Sequence, residues 1–110
     1  MRELTDVLTA IAHPTRRAII SRLAASGPMR FTDIAEPLAM HLNAVTKHLK
    51  TLERARLVKR NRAGREVFVS LQPARLRLVS EYVHEYEHFW NQRLNEFEKQ
   101  FKNKKLNKHT

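Results

Sequence analysis

A mainly α-helical α+β domain is predicted, with four short helices, a small two-stranded hairpin and one long final helix in the order α-α-α-α-β-β-α. Three observations carry this. Apolar residues recur at steps of three and four through most of the chain, the helical period. One stretch, Leu57 to Leu71, instead alternates around Ala63-Gly64, as hairpin strands do. Proline or glycine punctuates the joints: Pro14, Gly27-Pro28, Gly64 and Pro73. A chain of 110 residues fits one domain with a real core, and residues 1–101 are assigned to it. The remainder, KNKKLNKHT over 102–110, has no packing pattern and is expected to be a disordered basic tail.

The elements follow in order. Residues 3–11 read as an amphipathic helix with Leu4, Val7, Leu8 and Ile11 on one face. Pro14 suits a first helical position, where no amide donor is needed, and opens a helix to about residue 25. That helix is expected to bury Ala18, Ile19 and Leu23, with Ile20 beside them, and to stop at Gly27-Pro28. Thr32 reads as the cap of a third helix with Ile34, Ala35 and Leu38 inward, ended promptly by Pro37. A fourth helix runs from Leu42 to Ala55, with Val45, Leu49 and Leu52 as its buried stripe. Leu57 and Val58 open a strand that turns over Ala63-Gly64 and returns through Val67, Val69 and Leu71. Pro73 starts the last helix, which reaches Phe101.

The formal net charge of +10 favours a polyanionic partner, because binding releases condensed counterions. A ribosomal or membrane-surface protein shares that total, so its distribution matters more. Between Lys47 and Arg65 stand eight Lys or Arg and one acid, Glu53. Cysteine is absent, which excludes disulfides and thiolate metal or redox sites. Met1 to Ile11 carries Arg2, Glu3 and Asp6 and reads as an ordinary helix rather than a signal segment, and no long apolar run appears. A cytoplasmic protein without a membrane partner is expected. No glycine-rich phosphate loop and no nucleophile with a plausible base is visible, so neither an enzyme nor a cofactor is expected.

The segments HPTRRAIISRL (13–23), DIAEPLAMHLNAVTKHLKTLERARLV (33–58) and RAGREVFVSL (62–71) together resemble the ArsR/SmtB family of bacterial winged helix-turn-helix repressors. The resemblance covers nearly the whole chain. The last helix, SEYVHEYEHFWNQRLNEFE, is similar to a subgroup lacking the familiar metal sites. The family implies a homodimer, joined through its first and last helices, that binds a near-palindromic operator on double-stranded DNA and represses transcription. It also implies that the second helix of the motif enters the major groove. Three positions depart from the family pattern: Ala39 in the turn and Arg56 after the recognition helix, where glycine is usual, and His41 at the cap, where serine is usual.

Asn43, Thr46 and Lys47 match positions that touch bases in the family. Asn can pair with adenine, Lys can donate to guanine, and the Thr methyl can pack on thymine. His41, Leu42 and Lys50 complete that surface. Lys50, Arg54 and Arg16 are expected to hold phosphates, which sets register without reading sequence. At the wing, Arg60, Arg62 and Arg65 are expected to enter the minor groove or grip its phosphates. For each residue the alternative is a plain solvated charge. Arg17 is expected to form a structural bond, with Glu53 as the candidate partner, and His13 and His48 read as structural.

On the last helix, Leu76, Val79, Val83, Tyr86, Trp90, Leu94, Phe97 and Phe101 lie close to a heptad seam with one stutter. A second copy of the chain is the expected cover, with Leu4 and Leu8 contributing from the first helix. The alternative is a pocket at Tyr82, Tyr86, Phe89 and Trp90 for an unknown small-molecule effector. Glu81, His84 and His88 share a helix face and could chelate Zn(II) or Ni(II), but they miss the family's ligand spacing, and no metal is favoured. The rival functional class is a non-specific architectural DNA-binding protein, to which the basic tail lends weight. A winged helix that binds protein is a third class, and it lacks apolar anchors at Asn43, Thr46 and Lys47.

Overall fold

The computed structural model describes residues 2–107, with side chains through residue 103. It contains two compact units, one ending at Val79 and the next beginning at Ser80. The first opens with α1 (Arg2–Ile11), which buries Val7 and Ala10 and half-buries Leu4 and Ile11. Leu8, expected on the same face, is 38% exposed. Helix α2 (Pro14–Ser26) is capped by His13, whose Nδ1 accepts from the Thr15 amide at 3.1 Å. It ends at Gly27, where φ is +79° and the amide donates to Leu23 O at 2.9 Å. Ile19 and Leu23 are buried as expected, but Ala18 is exposed, lying a helical step outside that stripe.

A two-residue strand, β1 (Met29–Arg30), precedes α3 (Phe31–Ala35) and escapes the sequence pattern by its brevity. It delivers extended backbone up to Arg30, so Arg30 occupies the N-cap position and Thr32 lies inside the helix rather than capping it. Pro37 follows in a 3₁₀ turn, Glu36–Leu38, which closes the helix promptly. Helix α4 (Leu42–Arg54) buries Val45, Leu49 and Leu52. Strands β2 (Val58–Ala63) and β3 (Glu66–Leu71) pair antiparallel from Val58↔Leu71 to Ala63↔Glu66. The turn is therefore Gly64-Arg65, one residue later than expected, with Gly64 supplying φ +64°. The three strands lie in the order β1-β3-β2.

The core draws on the first four helices and the sheet: Val7 and Ala10 from α1, Ile19 and Leu23 from α2, Ile34 from α3, Leu49 and Leu52 from α4, and Val58 and Val69 from the sheet. Leu57, between α4 and β2, is fully buried with them. After a 3₁₀ turn, Pro73–Arg75, helix α5 (Leu76–Asn107) begins, and Leu76 and Val79 pack partly against this core.

The second unit consists of the rest of α5. Its described side chains, residues 80–103, are all exposed. The expected end at Phe101 and tail from 102 do not match the structure, since the helix continues to Asn107. Lysine is a good helix former, and nothing in KNKKLN breaks the ladder. The part of the expected tail at 108–110 lies outside the described residues. Among the described residues no helix is long and apolar enough to cross a membrane.

Candidate nucleic-acid interface

The geometry starts from α4. Its fully buried Val45, Leu49 and Leu52 fix one side against the core, which leaves His41, Leu42, Asn43, Lys47, Lys50 and Arg54 exposed on the other. The helix entry is held by His41, whose Nδ1 accepts from the Asn43 amide at 3.3 Å and so does the work of the serine it replaces. Thr46 is half-buried and bonds back from Oγ1 to Leu42 O at 3.0 Å. Arg54 folds along its own helix to Thr51 Oγ1 at 3.3 Å.

The wing carries Lys59, Arg60, Arg62 and Arg65, all exposed. It is tied to α4 by a two-pronged pair between Arg60 and Glu53, whose longer contact is 3.3 Å. Arg60 is thus held by a carboxylate rather than left free for phosphate. Arg17, the partner expected for Glu53, donates instead to Ile11 O at 2.8 Å. Arg16, expected to hold phosphate, is engaged within the fold. Its guanidinium donates to Ala10 O at 2.6 Å and Thr9 O at 3.1 Å, and lies 3.2 Å from His48 Nδ1.

Arg30 was not picked out from the sequence. It bonds Asp33 at 3.0 Å and Glu66 at 3.1 Å and so joins β1 to the wing. Those two carboxylates hold its pKa above the usual arginine value, Asp33 first. Its signal was the i, i+3 pair with Asp33, but the contact with Glu66 depends on β1 pairing with β3. Between the wing and α4 lies a cleft of about 380 Å³, floored by Phe31 and Val67 and rimmed by Thr46, Arg60 and Arg65.

A short helix preceding an exposed, well-capped second helix, with a basic hairpin pinned to it, is winged helix-turn-helix geometry. The family model for a helix-turn-helix domain matches residues 11–61. Among curated proteins the chain is 34% identical over 87 residues to the HTH-type transcriptional regulator NmtR of Mycobacterium tuberculosis, spanning 78% of this chain and 72% of that one. It is 32% identical over 66 residues to the transcriptional repressor PagR of Bacillus anthracis, covering 60% and 66% of the two chains. Among solved structures, an ArsR-like transcriptional regulator from Rhodococcus sp. RHA1 superposes with a TM-score of 0.69 at 27% identity, covering 84% of this chain and 87% of that one. The chain belongs to the ArsR family of winged helix-turn-helix transcriptional regulators.

As an ArsR-family regulator it is a sequence-specific DNA-binding protein. The structure brings His41, Leu42, Asn43, Lys47 and Lys50 together on one helix face, with Arg62 and Arg65 on the neighbouring hairpin. In the second unit Val83, Tyr86, Trp90, Leu94 and Phe97 are all more than two-fifths exposed. Leu76 and Val79, assigned to the same seam, are partly packed on the core of the first unit. Tyr82, Tyr86 and Trp90 line an open depression on the surface of α5. His84 and His88 are exposed, with His84 Nδ1 3.5 Å from Glu87, and Glu81 is exposed as well. Among the described residues no three His, Cys, Asp or Glu side chains are grouped to hold a metal ion.

Proposed function

We propose that this regulator is a homodimeric repressor that sets one α4 into the major groove of each half of an inverted-repeat operator. The observation that carries the reading is the two-sidedness of α4. Three fully buried residues lock it to the core, and Asn43, Lys47 and Lys50 stand exposed beside an arginine-bearing wing. Asn43, Thr46 and Lys47 would meet base edges, with His41 and Leu42 at the helix entrance. Lys50, Arg54, Arg62 and Arg65 would hold phosphates, and Arg60 would act through its bond to Glu53. Repression is supported by the likeness to PagR. Dimerisation would use Leu4 and Leu8 of α1 with the exposed seam of α5 from Val83 to Phe97.

The test compares two substitutions on operator and random DNA. Lys47→Ala is expected to lose about 1–3 kcal/mol of discrimination, the worth of a good base contact, with little change on random DNA. Arg62→Ala is expected to weaken both alike and to flatten the salt dependence by about one ion per site. Equal losses on both DNAs for Lys47→Ala would reduce that residue to a phosphate contact.

A further inference from the structure

We propose that Arg16 is a positioning residue for DNA recognition, tying the recognition helix through the His48 imidazole to the end of α1, and that protonation of His48 releases the tie. The proposal rests on the reading of α4 as the helix that meets DNA. Three elements converge on one guanidinium. Arg16 stands on α2, it donates to the carbonyls of Thr9 and Ala10 at 3.1 and 2.6 Å, and its Nη1 lies 3.2 Å from His48 Nδ1 on α4. Those carbonyls belong to the last turn of α1, where the helix gathers partial negative charge. Arginine is always protonated and only donates, so its contact with Nδ1 needs the lone pair there. The contact is a hydrogen bond only while His48 is neutral with its hydrogen on Nε2.

The surroundings oppose a second charge. From α2, His48 faces Arg16 and the capping ring of His13, whose centroid is 4.5 Å away. The α1 carbonyls of Thr9 and Ala10 hold Arg16 itself, and on its own helix Lys47 is the residue adjoining His48. Among the described residues no carboxylate hydrogen-bonds to His13, Arg16 or His48. Partial burial first, then the nearness of His13 and Arg16, lowers the His48 pKa from its ordinary 6.5.

Protonation places an N–H where the Arg16 donor now points, so the contact has to open. The depressed value fixes the sign. Above pH 6.5 the tie contributes in full, and it is lost as pH falls through the lower folded-state value. Lys47 adjoins His48, so loosening α4 at this point disturbs base reading before it disturbs the wing. Added positive charge alone would strengthen attachment to any DNA. Weakening in acid therefore separates positioning from charge.

Specific affinity is measured with the full chain from about pH 7.5 to about pH 5.5, the histidine range, at constant ionic strength. The specific duplex is one enriched from a randomised pool by the wild-type protein at the higher pH, a random duplex is the reference, and circular dichroism checks the fold at each step. Wild type is expected to lose specific affinity several-fold towards the acid end, while the random duplex is held no less tightly. His48→Gln keeps an acceptor for Arg16 that does not titrate, and its profile is expected to be flat. Arg16→Gln is expected to bind weakly at every pH with an unchanged salt slope, whereas loss of a phosphate contact would lower the slope by about one. A wild-type pH profile in His48→Gln, or a lowered slope with intact discrimination in Arg16→Gln, would overturn the proposal. If no duplex is enriched, the reading of α4 as the DNA-reading helix fails and the proposal fails with it.

Discussion

Two non-glycine residues hold left-handed backbone, Ala39 at φ +49° and Arg56 at φ +59°, and they close the two ends of the segment that carries α4. A side chain in that conformation costs about 1–2 kcal/mol. Glycine removes this cost but gives back about 0.5–1 kcal/mol as backbone entropy. Arg56→Gly is thus expected to stabilise the fold by about 0.5 kcal/mol, seen as a melting temperature a few degrees higher. A lower melting temperature would mean that Arg56 makes a compensating contact. Both positions were legible beforehand as places where family members usually carry glycine. The partners of Arg16, Arg17 and Arg60 were not. A long guanidinium side chain chooses its acceptors from whatever the tertiary fold brings near, and Glu53 and the α1 carbonyls come near only after folding.

At the scale of elements, the pair between Glu53 and Arg60 fixes the wing against α4. Both side chains are about one-third exposed, so the pair contributes no more than about 1 kcal/mol to stability. Its larger consequence is orientation. Glu53→Gln removes the one acid between Lys47 and Arg65 and releases Arg60, so affinity for random DNA is expected to rise several-fold while the ratio of specific to random affinity falls. Competition binding on the two DNAs measures both, and a ratio that holds or rises would show that the wing needs no such anchor. Helix α4 was readable because its stripe, Val45, Leu49 and Leu52, repeats at helical spacing. Strand β1 was not, because two residues show no period, and missing it displaced the expected cap of α3 from Arg30 to Thr32. The hairpin turn was misplaced by one residue for a similar reason: register is set by pairing across the sheet, and Ala63 pairs with Glu66.

For the whole molecule, the exposed apolar seam of α5 is the longest run of uncovered apolar side chains among the described residues. Trp90 is 61% and Phe97 66% exposed, and Leu94 between them is 58% exposed. Contiguous surface of that kind marks an interaction site rather than ordinary solvent contact. Trp90→Asp combined with Phe97→Asp is expected to convert a dimer into a folded monomer by analytical ultracentrifugation, with operator affinity falling by orders of magnitude as the two half-sites uncouple. A wild-type protein that sediments as a monomer would remove the homodimer from the proposal. The heptad-like spacing of this seam was plain in the sequence, because apolar residues three and four apart mark one helix face directly.

The proposed repressor requires that α4 of two joined copies select a DNA sequence. Selection from a randomised duplex pool by the full chain, at physiological salt and with excess competitor, tests it most directly. The expected product is an inverted repeat whose half-sites lie about one helical turn apart, or a multiple of it, bound at least about a thousandfold more tightly than random DNA. A pool that remains random, retained by charge alone and released uniformly by salt, would contradict it and leave a basic protein that coats DNA without reading it.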